Sequence, residues 1–162
     1  MADEYDLSNL NILVAEDYAP MRKILGQILF ELNVADFQLV ANGKEAIDFL
    51  AEYRADILIV DNVMEPISGT ELTRMVRAGE TPLDRGTPII MVSGETSREL
   101  IVDARDAGIN EFLAKPISTQ MLLQRIIAIA DNPRGFVETS NFYGPDRRRR
   151  QMRFPGLERR RR

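Results

Sequence analysis

The chain has no cysteine and no histidine in its 162 residues. The first absence excludes a disulfide framework and any thiolate metal site; the second excludes imidazole ligands and histidine general bases. Any chemistry must therefore run on carboxylates, lysine, serine or an oxygen-bound metal. Apolar runs are also short, none approaching the ~18 residues a membrane span needs, and the start, Met1 to Asp6, is acidic rather than basic. These features predict a cytoplasmic protein without membrane insertion.

With 44% hydrophobic and 28% charged residues, the length suits one core of about 100–150 residues plus an appendage. The net charge of −4 averages two unlike parts. Residues 1–132 hold 11 Lys+Arg against 22 Asp+Glu, whereas 133–162 hold 10 against 3, so the parts carry −11 and +7. The basic part contains a repeat. Phe142-Tyr143-Gly144-Pro145-Asp146-Arg147-Arg148-Arg149-Arg150 aligns with Phe154-Pro155-Gly156-Leu157-Glu158-Arg159-Arg160-Arg161-Arg162, twelve residues on, so that an aromatic, a glycine, an acid and four arginines recur in register.

Short apolar runs at 11–15, 57–60, 89–92 and 111–114, with a weaker one at 37–41, read as strands. Helical spacing fills the intervals at 21–32, 44–52, 70–78, 98–107 and 118–130, with glycines as punctuation. The alternation predicts an α/β fold, a doubly wound five-stranded parallel sheet covered on both faces. Past Asp131-Asn132-Pro133 the periodicity stops, placing a domain at 9–131 and an irregular Arg-rich C-terminal tail at 133–162.

In such a sheet the ligand site lies at the carboxyl ends of the strands. Those ends carry Glu16-Asp17, Asp61, Ser93 and Lys115-Pro116. Three carboxylates brought together without imidazole or thiolate suit Mg²⁺. Asp61 is then a candidate nucleophile for a phosphoryl group, with Lys115 as a neutralising point charge. Taken singly each residue has a plainer reading: Glu16-Asp17 as a capping turn, Ser93 as a turn residue, Lys115 as an exposed loop charge, Phe112 as core.

Five ordered motifs, Leu13-Val14-Ala15-Glu16-Asp17, Asn42-Gly43-Lys44-Glu45-Ala46, Ile59-Val60-Asp61-Asn62-Val63-Met64 with Gly69, Val92-Ser93-Gly94-Glu95 and Phe112-Leu113-Ala114-Lys115-Pro116, resemble those of CheY-like response-regulator receiver domains of flavodoxin-like fold. The resemblance implies phosphorylation of Asp61 by a histidine kinase or phosphotransfer protein, and Mg²⁺ held by Asp17, Asp61 and the Val63 carbonyl with Glu16 acting through water. It also implies phosphoryl contacts from Ser93 and Lys115 and an aromatic switch at Phe112. A receiver of this kind phosphorylates and dephosphorylates itself but turns over no external substrate. Glu16 stands where an aspartate is commoner, Glu65 where many relatives have proline, and Phe112 lacks the hydroxyl of the frequent tyrosine.

Each tail unit pairs arginine forks, suited to phosphate and to the Hoogsteen edge of guanine, with an acid suited to its Watson-Crick edge. Two such units match a ligand with two guanines and two phosphates, cyclic di-GMP. The tail resembles the Arg-rich extension of the Cle group of CheY-like regulators, which bind that dinucleotide and act on the flagellar motor. The expected contacts are Tyr143, Asp146, Arg147, Arg148, Arg149, Arg150, Glu158, Arg159, Arg160 and Arg161, and the expected docking partner is the flagellar motor switch. Alternative readings remain: aromatics that pin the tail to the domain, arginines that contact nucleic acid, another polyanion or the kinase, and a receiver that only shuttles phosphate.

Overall fold

The structure is a computed structural model that describes residues 5–131 and 135–146, with backbone alone at 158–159. A two-residue strand β1, Tyr5–Asp6, leads into β2, Asn11–Ala15, whose last four residues are fully buried. Alternation then proceeds as α1 Ala19–Glu31, β3 Asp36–Val40, α2 Gly43–Leu50, β4 Ile57–Asp61, α3 Gly69–Arg77, β5 Ile89–Ser93, α4 Arg98–Ala107, β6 Glu111–Ala114 and α5 Thr119–Asp131. Strands β2 to β6 form one parallel sheet in the order β3-β2-β4-β5-β6.

Local chemistry sets the helix starts. Pro20 occupies the first turn of α1, where its missing N–H costs nothing. The Asn42 side chain accepts from Glu45 N–H at 2.9 Å to open α2, and Ser68 and Glu71 form a reciprocal capping box on α3. Ser97 caps α4, which ends at Gly108 with φ 111°, a left-handed conformation that suits a residue without Cβ.

Successive strand residues serve opposite faces. Ile12, Val14, Ile57, Ile59, Ile90 and Val92 pack with α1 and α5, and the same cluster includes Tyr5 and Leu7. Leu13, Ala15, Leu58, Val60, Ile89 and Met91 pack with α2, α3 and α4 on the other side. Burial on both faces is why these strands are continuously apolar. Edge strand β3 is half-exposed, which accounts for its weaker signal.

The tail, expected to be irregular, contains an antiparallel hairpin of β7 Phe136–Glu138 and β8 Tyr143–Pro145. Asp146 N–H closes its open end on the Gly135 carbonyl. Strand β9, Glu158–Arg159, pairs antiparallel with β1. The hairpin rests on Arg77 of α3, which is only 3% exposed. That guanidinium donates to the carbonyls of Gly108, Arg85 and Thr87 and to the Asn110 side-chain oxygen, and its face lies 4.9 Å from the centre of the Phe136 ring. Arg85 stacks 3.9 Å from the Tyr143 ring centre, and the Phe136 and Tyr143 rings are 5.2 Å apart. Burial lowers the Arg77 pKa to about 10, so the cation stays charged at neutral pH. Among the described residues no helix is long and apolar enough to cross a membrane.

Candidate functional site

Strands β2 and β4 are adjacent and in register, so their carboxyl ends deliver Glu16, Asp17 and Asp61 to one edge of the sheet. One carboxylate oxygen from each lies within 4.8 Å of the others. Glu16 is fully buried and Asp61 is 5% exposed, whereas Asp17 faces outward. Lys115 Nζ reaches in from the end of β6 to 3.0 Å from Glu16 Oε2 and 3.4 Å from Asp61 Oδ1. One ammonium thus serves two buried carboxylates, Glu16 and Asp61, with the exposed Asp17 carboxylate beside them.

Glu16 shows the strain of that arrangement. Its Oε1 accepts from Tyr18 N–H at 3.1 Å, while Oε2 has the Lys115 ion pair but no well-aligned hydrogen bond. Desolvation by burial raises its pKa above the usual 4.5, against the opposing pull of Lys115. A buried carboxylate oxygen short of donors, beside two further carboxylates, fits a hard divalent cation that completes its shell with water. The donor set is all oxygen, as Mg²⁺ prefers.

Ser93 ends β5 one register step beyond the Val92 that faces Asp61, and is fully buried. Its Oγ accepts from Glu95 N–H at 3.1 Å, which leaves the hydroxyl hydrogen to donate. Lys115 N–H bonds the Ser93 carbonyl at 2.9 Å, tying the two strand ends together. Val63, expected to offer its carbonyl, lies in the loop after β4 and is 64% exposed as a residue. Phe112 on β6 is partly buried against the α2–α4 side of the core.

Two supports of this edge escaped the sequence reading. Asn62 Oδ1 accepts from both the N–H and the hydroxyl of Thr70, at 3.2 and 2.7 Å, bracing the loop after Asp61. Arg22 on α1 donates to the Glu16 carbonyl at 2.8 Å and steadies the acidic turn. The adjacency of Asn62 to Asp61 was the available signal for the first. The second depends on packing of α1 that no spacing announces.

Gly69 is demanded by proximity rather than by φ. A Cβ there would fall 2.3 Å from the Asp61 carbonyl oxygen.

Of the residues expected in the tail site, Tyr143 is half-buried between Phe136 and Arg85 and Asp146 is 8% exposed. Glu158 and Arg159 are placed by backbone only, in β9. Arg147, Arg148, Arg149, Arg150, Arg160 and Arg161 lie outside the described residues.

Comparison with known proteins agrees with the geometry. The model of the response regulator receiver domain matches residues 12–127. The chain is 31% identical over 126 residues to the chemotaxis protein CheY of Pseudomonas aeruginosa, covering 78% of this chain and all of the relative. It is 33% identical to the CheY homolog of Campylobacter jejuni over 72% of this chain and 89% of that one. Among solved structures, the receiver domain of a Pseudomonas aeruginosa sensor histidine kinase superposes with TM-score 0.64 at 29% identity. The match covers 74% of this chain and 95% of that one, which has a magnesium ion coordinated in its active-site cleft. The Vibrio cholerae chemotaxis protein CheY4 gives TM-score 0.67 at 26% identity, over 74% and 98% of the two chains. By its match to the family model, by these relatives and by its own acidic strand ends, the chain belongs to the response-regulator receiver family.

Proposed function

We propose that the chain is a signalling receiver that takes a phosphoryl group onto Asp61 from a histidine kinase or phosphotransfer protein, and whose arginine tail binds cyclic di-GMP. The observation carrying the first half is the Glu16, Asp17 and Asp61 cluster closed by Lys115. An Asp61 oxygen attacks the phosphorus of the donor, forming a P–O bond as the donor's bond breaks and its electron pair leaves with the donor. Lys115, already 3.4 Å from Asp61, moves onto the phosphoryl oxygens, and the Ser93 hydroxyl donates to another. Mg²⁺ held by Asp17, Asp61 and the Val63 carbonyl, with Glu16 acting through water, would neutralise the charge gathered there. The added charge of about −1.5 to −2 draws Ser93 and Lys115 inward and gives the half-buried Phe112 ring a reason to turn. The chain changes its own state, so it acts as a switch rather than a conventional enzyme, in the cytoplasm where its kinase works.

The tail reading rests on the repeat of an acid followed by four arginines. Asp146, buried at the open end of the hairpin, fixes where the first run begins. Arg147–Arg150 and Arg159–Arg162, with Glu158, would clasp the dinucleotide, while Tyr143 stays with Arg85 and Phe136 as anchor. Similarity to proteins named for chemotaxis supports the flagellar motor switch as docking partner. Calorimetric titration of cyclic di-GMP into the full chain, with GTP and short DNA as controls, tests this half. Micromolar binding lost when Arg147 and Arg148 become alanine supports it. Unchanged affinity in that variant, or equal binding of DNA, sinks it in favour of a polyanion-binding tail.

A further inference from the structure

Away from both sites, helix α2 and edge strand β3 enclose an open groove of about 580 Å³ lined by Val40, Glu45, Asp48, Phe49, Glu52 and Tyr53. Phe49 near the end of α2 and Tyr53 just beyond it set their rings 5.1 Å centre to centre, and the Tyr53 hydroxyl donates to Asp36 at 3.3 Å. Asp48 on α2 and Glu52 in the turn after it also line the groove, both exposed, and among the described residues neither side chain has a hydrogen bond or ion pair. Phe49 is 36% exposed. Aromatic faces bordered by unengaged carboxylates are what a guanidinium prefers: the ring takes its flat face and the carboxylates take its N–H forks.

The chain itself carries that chemistry, with nine arginines against one acid in residues 147–162. Its own runs are poorly placed to reach the groove. The first begins one residue beyond Asp146, and the hairpin that holds Asp146 sits on Arg77, Gly108 and Arg85, beside the amino ends of β5 and β6. In the order β3-β2-β4-β5-β6 the groove lies three strand spacings from β5 and beyond the sheet edge, roughly 15 Å plus the thickness of α2. Four extended residues span at most about 14 Å. The second run starts at Arg159, paired to Tyr5, and Tyr5 packs with α1 and α5 on the opposite face from α2.

We propose that the α2–β3 groove is a docking site for the arginine-rich tail of a second copy of this chain. Each copy offers one acidic, aromatic groove and one basic tail, so two copies can exchange tails reciprocally about a two-fold axis. The proposal does not require that the tail bind a nucleotide, and any ligand that neutralises the arginines competes with the contact.

Sedimentation velocity of the full chain without nucleotide, over a range of protein concentrations at about 50 mM and about 500 mM sodium chloride, tests this. The expected result is reversible association at low salt that dissolves at high salt. In Asp48→Lys/Glu52→Lys the dissociation constant rises at least ~tenfold with an unchanged unfolding midpoint because both acids are exposed, and Phe49→Ser weakens association as much in a chain that still unfolds cooperatively. A chain with Arg147–Arg150 and Arg159–Arg162 changed to serine is monomeric alone and forms a complex when mixed with the groove variant, each supplying what the other lacks. A parent chain monomeric at low salt, a groove variant that associates as strongly as the parent, or no complex on mixing would each overturn the proposal.

Discussion

At the scale of single residues, burial without full compensation makes Glu16 and Arg77 informative. The Glu16 pKa is raised by desolvation, so as pH rises from about 4.5 the unfolded chain ionises before the folded one, and the metal-free fold loses stability through that window. In chelator near pH 7, Glu16→Gln is therefore more stable than the parent in urea, and the difference shrinks on acidification as the parent takes up its proton. Added Mg²⁺ reverses the order: at ten times its dissociation constant it stabilises the parent by about 1.4 kcal/mol, and Asp17→Asn loses most of that gain. Arg77→Met removes the guanidinium donor from the carbonyls of Gly108, Arg85 and Thr87 and leaves the Asn110 side-chain oxygen with the Ile89 N–H alone. A loss of about 3 kcal/mol in denaturant unfolding is expected. For Gly69→Ala the new methyl meets the Asp61 carbonyl at 2.3 Å, which overpacks a fully formed edge and costs about 1–3 kcal/mol. The convergence of the acid pair, Asp61, Ser93 and Lys115 on one sheet edge was legible in the sequence because each directly follows a short apolar run. Arg77 was not, because on α3 it reads as one more surface arginine until the fold brings four acceptors and a ring around it.

At the scale of elements, the parallel strands announced themselves by continuous apolar runs and the helices by spacing and caps, and α4 spans the same residues, Arg98–Ala107, in both readings. Strand β3 begins at Asp36 rather than Phe37, a small difference expected where an edge strand is apolar only in part. The hairpin at 136–145 was missed for a physical reason: strands of three residues are too short to show alternation, and what holds them is not their own pattern but the cations of Arg77 and Arg85 beneath their rings. Phe136→Ala should then lower the unfolding free energy by about 2 kcal/mol through lost apolar burial and cation–π contact. Calorimetry would register it as a melting temperature lower by several degrees. A melting temperature equal to that of the parent would mean that the hairpin lies on the domain without stabilising it.

At the scale of the whole molecule, charge is divided as the sequence foretold, −11 before residue 133 and +7 after it, and the fold assigns the parts different places. The acidic cluster gathers at the carboxyl edge of the sheet, while the hairpin that starts the basic tail grips the opposite, amino-terminal side of β5 and β6. The proposed phosphoryl acceptor and the hairpin that starts the tail therefore lie at opposite ends of one sheet, and coupling between them would have to run through α3 and α4. Arg74 of α3 already meets Asp103 of α4 at 2.6 Å.

Everything rests on Asp61 as the phosphoryl acceptor, and intact-mass spectrometry of the full chain after incubation with a small acyl phosphate measures that directly, with Mg²⁺ or with chelator. The account predicts a mass gain of one phosphoryl group that requires Mg²⁺, maps to Asp61 and is absent from Asp61→Asn. A gain that persists in Asp61→Asn, or none in a folded parent chain supplied with Mg²⁺, would contradict it.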